Sequence, residues 1–286
     1  MRPAIRRRLT ENALFIRALP SSSQQLATTN QNHTISDSIT EVPFGADLER
    51  SVGEEIRITA ADGGTFAAYL ALPARTPAPG LIVLPEIFNS NPHIRSVADG
   101  YAADGFVALA PDVYWRQEAG SYLPYTDEGR AKAQALSARL DTDLLTRDLG
   151  DAVAALRARP DCTGKVGVMG FCLGGLLAYL ASTRLPIDAA VSYYGVKIDL
   201  HFGEADRLKC PLLMHFAEND PHVPPQTVAA IQARLGGLSN VSIHIYPGTG
   251  HGFNRQGYPP YNEAAAAWAR QRTIAHFRRL LSGGDS

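Results

Sequence analysis

Cysteine is scarce in this chain: the 286 residues hold only Cys162, Cys172 and Cys210, an odd number with no C-x-x-C pair. A chain of this length can build a core without disulfide staples, so no disulfide framework is expected and a reducing cytosol is the expected compartment. Long apolar runs are missing too. Arg, Asp, Pro or Gly interrupts every candidate before it reaches the ~18 residues of a membrane-spanning helix. Excess charge of either sign is also absent, with 27 Lys and Arg against 28 Asp and Glu. That balance removes the basic footprint that nucleic-acid binding needs. Neither nucleic acid nor membrane is an expected partner. There is no internal repeat and no signal for a partner surface, so a monomer is the expected state.

What is present is an ordinary globular composition, 45% apolar and 19% charged, enough to bury a core. The first 45 residues differ in texture: Arg2, Arg6, Arg7 and Arg8 precede a polar stretch from Ser21 to Thr40. This reads as a mobile extension. A secretory signal would need roughly 7–15 uninterrupted apolar residues, whereas Ala13 to Leu19 is short and contains Arg17. Residues 46–286 are expected to form one domain.

That domain opens with Glu54-Glu55-Ile56-Arg57-Ile58-Thr59, which alternates with period two, a turn at Asp62-Gly63-Gly64, and a second strand from Thr65 to Leu72. Short apolar runs then follow at Leu81–Leu84, Val107–Ala110, Val166–Met169, Ala189–Tyr193, Leu212–Phe216 and Val241–Tyr246. They have the texture of strands buried on both faces. Helical spacing separates them at Asp127–Leu140, Leu144–Arg159, Leu173–Thr183, Pro225–Leu235 and Asn262–Leu281. Strand–helix alternation predicts a mostly parallel, doubly wound α/β sheet with helices on both faces. Its chemistry belongs on the loops past the carboxyl ends of the strands.

Directly after Val166–Met169 comes Gly170-Phe171-Cys172-Leu173-Gly174-Gly175. A strand, a G-x-C-x-G turn and a helix match the nucleophile elbow of α/β-hydrolases, with Cys172 at the nucleophile position. The helix N-terminus behind it favours negative charge on sulfur. A phosphate loop would need Lys-Ser/Thr where Leu176-Leu177 stands, and a dinucleotide fingerprint would need Gly where Cys172 stands. The plainer alternative is that Cys172 is a small buried apolar residue.

Thiols ordinarily ionise near ~8.5, so a nucleophilic cysteine needs a base or cation beside it. His251, in Gly248-Thr249-Gly250-His251-Gly252-Phe253, follows the last predicted strand and precedes the last predicted helix. Asp220, in Glu218-Asn219-Asp220-Pro221, follows Leu212–Phe216. Individually these read as a turn histidine and an Asx turn. Together, the chain order Cys, Asp, His at successive strand ends is that of α/β-hydrolases. A metal reading would recruit Cys210, His201, His215 or His222, whose spacings match no zinc pattern. No metal and no organic cofactor are expected.

From about Ser51 to the last helix the chain resembles the dienelactone hydrolase (carboxymethylenebutenolidase) family. The resemblance rests on Pro85-Glu86-Ile87-Phe88, Ala110-Pro111-Asp112-Val113-Tyr114, Arg116-Gln117, the Cys172 elbow, Tyr193-Tyr194-Gly195-Val196 and Gly250-His251-Gly252-Phe253. It implies an α/β-hydrolase fold and opening of a small lactone or ester, of the kind met in degradation of aromatic compounds, through an acyl-thioester. Cys172, His251 and Asp220 would be catalytic, with Glu86 near the thiol switching it between protected and reactive forms. The backbone N–H groups of Ile87 and Leu173 would bind the oxyanion. Arg116 and Arg255 would hold a substrate carboxylate, and Tyr194 would line the pocket. A general small-ester hydrolase or thioesterase, and a non-catalytic ligand-binding relative, remain alternatives. Trp115 is a departure, standing where the family commonly has a small residue.

Overall fold

The computed structural model describes residues 53–282; the expected extension at residues 1–45 lies outside them. The chain order is β1 (Glu54–Thr59), β2 (Thr65–Ala71), β3 (Ala78–Leu84), α1 (Pro92–Ala103), β4 (Val107–Pro111), α2 (Trp115–Glu118), α3 (Asp127–Ser137), α4 (Thr142–Arg157) and β5 (Cys162–Phe171). It continues with α5 (Leu173–Arg184), β6 (Ala189–Tyr193), a 3-10 segment (Ile198–Arg207), β7 (Leu212–Ala217), α6 (Pro225–Leu235), β8 (Val241–Tyr246) and α7 (Glu263–Leu281). The strands form one eight-stranded sheet in the order β1-β2-β4-β3-β5-β6-β7-β8. β1 and β2 are antiparallel, β2 is antiparallel to β4, and every pairing from β4 to β8 is parallel.

Both faces of the sheet are covered, and the period of two along each strand divides the core. Ile82 and Leu84 of β3, Val107 and Leu109 of β4, and Val166 and Val168 of β5 pack with α3, α4, α5 and α6. Leu81 and Val83, Ala108 and Ala110, and Met169 and Phe171 face the other way onto α1 and α7. Alternate side chains of a pleated strand point to opposite faces. A strand apolar at every position therefore needs a helix layer on each side, which is why these runs carry no amphipathic alternation.

The expected hairpin and all six parallel-sheet runs form strands, and the five expected helices are present. Sequence reading missed α1, α2 and the 3-10 segment. The signals for α1 were present in the sequence: Ile94, Val97, Ala98, Tyr101 and Ala102 recur at helical spacing despite Gly100. Asn91 caps the helix by accepting from the Ile94 N–H, and Pro92 occupies the first turn.

Residues weighed for a metal site have other roles. His215 is fully buried on β7, its two ring nitrogens paired with the Thr273 hydroxyl at 3.1 Å and the Tyr246 hydroxyl at 2.9 Å. Cys210 is buried, which pushes its thiol up to about 12.

Candidate active site

The turn between β5 and α5 explains why the sequence around Cys172 is so rich in glycine. A Cβ on Gly170 would stand 2.3 Å from the Gly174 carbonyl oxygen, and one on Gly174 would stand 2.5 Å from that of Leu84. Helix and strand can approach this closely only without side chains at those positions. Cys172 itself has φ 54° and ψ −109°. That left-handed conformation costs a non-glycine residue of order 1–3 kcal/mol and persists because the surroundings hold it. The Cys172 N–H donates to the Tyr193 carbonyl at 3.0 Å, and the Cys172 carbonyl accepts from Gly175, Leu176 and Val196.

His251 and Asp220 come from the loops after β8 and β7. His251 Nδ1 lies 2.7 Å from Asp220 Oδ2, and Cys172 is near enough to the imidazole to act on its charge. Asp220 is buried and its other oxygen accepts from the N–H groups of His222 and Val223, at 2.7 and 3.1 Å. Burial would raise this carboxyl. The bond from His251 and the two N–H donors outweigh it, and the net direction is down. Burial alone would lower His251, but Asp220 and Cys172 push it up to about 10.

The raised imidazole has a consequence for stability. Its folded value lies above its ordinary 6.5. The stabilisation is therefore fully present below about pH 6.5 and is lost as pH rises through about 10. Thermal midpoints measured across that window should fall toward alkaline pH more steeply for the wild type than for His251→Gln. Parallel curves would show that the imidazolium contributes nothing to folding.

Glu86 follows β3 and is buried, and its Oε1 accepts from Arg255 Nη2 at 3.0 Å. Gly252, at φ +85°, makes room for that guanidinium, since a Cβ there would meet Arg255 Nη2 at 2.7 Å. Two side chains continue the wall. The Arg255 guanidinium carbon lies 4.6 Å from the ring centre of Tyr125 and 5.9 Å from that of Phe88. Tyr125 in turn meets Phe88 at 4.6 Å, Tyr258 at 4.5 Å and His93 at 5.9 Å between ring centres. Tyr194 is buried after β6, its ring 4.9 Å from that of His251, and its phenol senses Glu86, Arg255 and Cys172. Among the described residues no hydrogen bond uses the N–H of Ile87 or Leu173. The Ile87 carbonyl is held by the Tyr114 hydroxyl at 2.8 Å.

One sequence-derived residue is not brought in. Arg116 donates from Nε and Nη2 to the buried Asp148 at 2.8 and 2.7 Å, and Nη1 pairs with Asp62 at 2.7 Å. Trp115 explains the commitment. Its indole N–H also donates to Asp148, its ring stacks on Phe66, and Arg116 lies 4.1 Å from its centre. A guanidinium with every nitrogen paired to a carboxylate has no free edge for substrate. A second cation beside Arg255 at this side of the site is Arg130 on α3. Its guanidinium carbon is 5.6 Å from the Phe88 ring centre, and its charge is felt at His222, whose ring sits 4.6 Å from His251. Among the described residues it forms no ion pair. Arg130, Tyr125, His93 and His222 carried no motif signal, because each arrives from a segment whose spacing reports only a helix or loop.

A mostly parallel sheet with a strained elbow after β5 and a hydrogen-bonded His and Asp on the loops after β8 and β7 defines the α/β-hydrolase fold class. The model of the dienelactone hydrolase family matches residues 66–281. This chain belongs to the dienelactone hydrolase family, and it is a hydrolase of the ester and lactone-cleaving kind. It is 40% identical over 232 residues to a relative in Azospirillum brasilense, covering 79% of this chain and 99% of that one. Identity to the carboxymethylenebutenolidase of Pseudomonas putida is 35% over 230 residues, covering 80% and 98%. A solved structure from Klebsiella pneumoniae superposes with a TM-score of 0.71 at 26% identity, covering 80% of this chain and 98% of that one.

Proposed function

We propose that this enzyme opens a small carboxylate-bearing lactone or ester by covalent catalysis at Cys172, a reaction of the type that converts dienelactone to maleylacetate. The observation that carries the reading is the placement of His251, hydrogen-bonded to Asp220 at 2.7 Å and near enough to Cys172 that the sulfur helps to raise it. This is the geometry of an activated nucleophile.

The steps follow from which group holds the proton. With His251 protonated, Cys172 is the anionic partner and its sulfur attacks the acyl carbon. The developing oxyanion is received by the N–H groups of Leu173 and Ile87. Collapse breaks the acyl C–O bond, His251 passes its proton to the departing oxygen, and a thioester remains. Thioester formation removes the sulfur charge that helped hold the His251 proton, so the imidazole is left neutral. It then takes a proton from water, the hydroxide attacks the thioester, and the thiolate leaves as the acid is released. Asp220 keeps Nδ1 protonated throughout, leaving Nε2 to exchange the proton. No metal or organic cofactor enters this scheme. Glu86, adjoining the site and paired on one oxygen only, is suited to hold the thiol in a protected form until substrate draws on Arg255. Arg255 and Arg130, each packed near the Phe88 ring, supply the cations for the substrate carboxylate, and Tyr194 completes the pocket behind His251.

The decisive measurement is ultraviolet decay of a purified dienelactone. Wild-type protein should consume it rapidly, Arg255→Gln and Arg130→Gln should raise KM about tenfold or more, and Arg116→Gln should not. Hydrolysis of simple esters with dienelactone untouched would keep the nucleophile and overturn the substrate class.

A further inference from the structure

Five buried side-chain polar atoms among the described residues have no hydrogen-bond partner, and three belong to one contact group: Glu86 Oε2, Arg255 Nε and the Tyr125 hydroxyl. A buried polar atom without a partner is unfavourable. Three together in one place mark a site built to receive something. Two are donors, a phenol O–H and a guanidinium N–H, and they lie close together because the Arg255 guanidinium rests on the Tyr125 ring at 4.6 Å.

We propose that the Tyr125 hydroxyl is a substrate-binding group that donates to the substrate carboxylate alongside Arg255 Nε–H, and so sets the preference for acidic over neutral acyl compounds. This rests on the reading of the chain as an ester or lactone hydrolase and adds a residue that neither motif nor spacing singled out. The physical need is specific. Arg255 is already partly neutralised by Glu86 through Nη2, so an incoming anion meets a guanidinium with a reduced net pull and a carboxylate nearby. A neutral donor that adds a charge-assisted hydrogen bond without further cationic cost makes up that deficit. The phenol is also held in place, since Phe88, Tyr258 and His93 pack around its ring. Burial and the Glu86 charge raise its ionisation well above the ordinary range, so it stays a donor throughout neutral and mildly alkaline pH. The hydroxyl lies beside the side chains of Asn91 and Glu86 and interacts with both, but neither contact reaches regular hydrogen-bond geometry, so a carboxylate oxygen of substrate competes for its proton with the unpaired Glu86 Oε2 alone. A two-oxygen acceptor satisfies both donors at once; a lone carbonyl or ether oxygen does not offer the same pair of strong acceptor sites.

The experiment separates binding from chemistry. In a Cys172→Ala protein, which cannot turn substrate over, dienelactone and its neutral methyl ester are titrated calorimetrically with Tyr125 present and with Tyr125→Phe. The phenylalanine keeps the ring under Arg255 and removes only the hydroxyl. The ratio of Kd for methyl ester to Kd for free acid should fall about tenfold or more in Tyr125→Phe. In otherwise wild-type protein the same substitution should raise KM for dienelactone more than it lowers kcat. A Kd ratio unchanged by Tyr125→Phe, with the variant's thermal midpoint near wild type, would overturn the proposal even if dienelactone turnover is fast. Conversely, a ratio that falls while the wild type fails to hydrolyse dienelactone would leave the carboxylate site standing and remove the hydrolase reading of it.

Discussion

Cys172→Ala should reduce turnover of dienelactone by about 10⁴-fold or more, on the scale seen when a nucleophile is removed from a hydrogen-bonded triad. The loss is large because the other groups act through the sulfur. Without it His251 has no thiol to activate, Asp220 orients an idle imidazole, and the N–H groups of Ile87 and Leu173 receive no tetrahedral adduct. The protein should remain folded. Cys172 sits at φ 54°, a conformation alanine adopts at similar cost, and the backbone bonds that hold the elbow, from Cys172 N–H to Tyr193 and from Gly175, Leu176 and Val196 to the Cys172 carbonyl, involve no side chain. Steady-state rates together with a thermal midpoint close to wild type would establish this. Substantial residual turnover in a well-folded variant would remove Cys172 from the mechanism.

Asp220→Asn is expected to be the second-largest loss, on the order of 10³–10⁴ in kcat, although the replacement is almost isosteric. Asp220 accepts three hydrogen bonds, from His251 Nδ1 and from the N–H groups of His222 and Val223. An asparagine can present its carbonyl to the two backbone donors, which turns its NH2 toward Nδ1. Imidazole then accepts at Nδ1 and carries its proton on Nε2, the wrong tautomer for removing a proton from sulfur or water. The charge that raises His251 disappears as well. Cys172 should therefore be alkylated by iodoacetamide much more slowly at neutral pH in Asp220→Asn than in wild type. Equal alkylation rates would show that the carboxylate neither orients nor charges the imidazole. The two variants also differ from each other: alanine at 172 abolishes labelling of that position, whereas asparagine at 220 only slows it.

Much of this was legible along the chain, for identifiable reasons. The buried strands showed as short runs apolar at every position because helices cover both faces of the sheet. The elbow showed because strand-to-helix passage at van der Waals distance excludes a Cβ at Gly170 and Gly174, and that requirement is written into local sequence. Cys172, Asp220 and His251 could be picked because each follows a strand end in a recognisable turn. Arg116 was assigned from the family resemblance and not from spacing, and the structure commits it to Asp148 and Asp62 instead. Whether an arginine next to a strand end faces a pocket depends on what else competes for its guanidinium, and here Asp148 lies on α4 and Asp62 in the hairpin turn.

What the sequence determined by itself is therefore the fold class, the strand-end loops and the chemical types of the candidate triad, because these depend on periodicity, steric exclusion at glycine and the order of motifs. The tertiary structure decided the pairing of charges and the lining of the site: that Trp115 and Asp148 draw Arg116 away, that Arg130 arrives on α3, that Glu86 faces Arg255, and that Tyr125 brings a buried hydroxyl with no partner. Those outcomes follow from distances between segments far apart in the chain. A charge or a hydroxyl is committed to whichever partner lies nearest after folding, and no local pattern records which one that is.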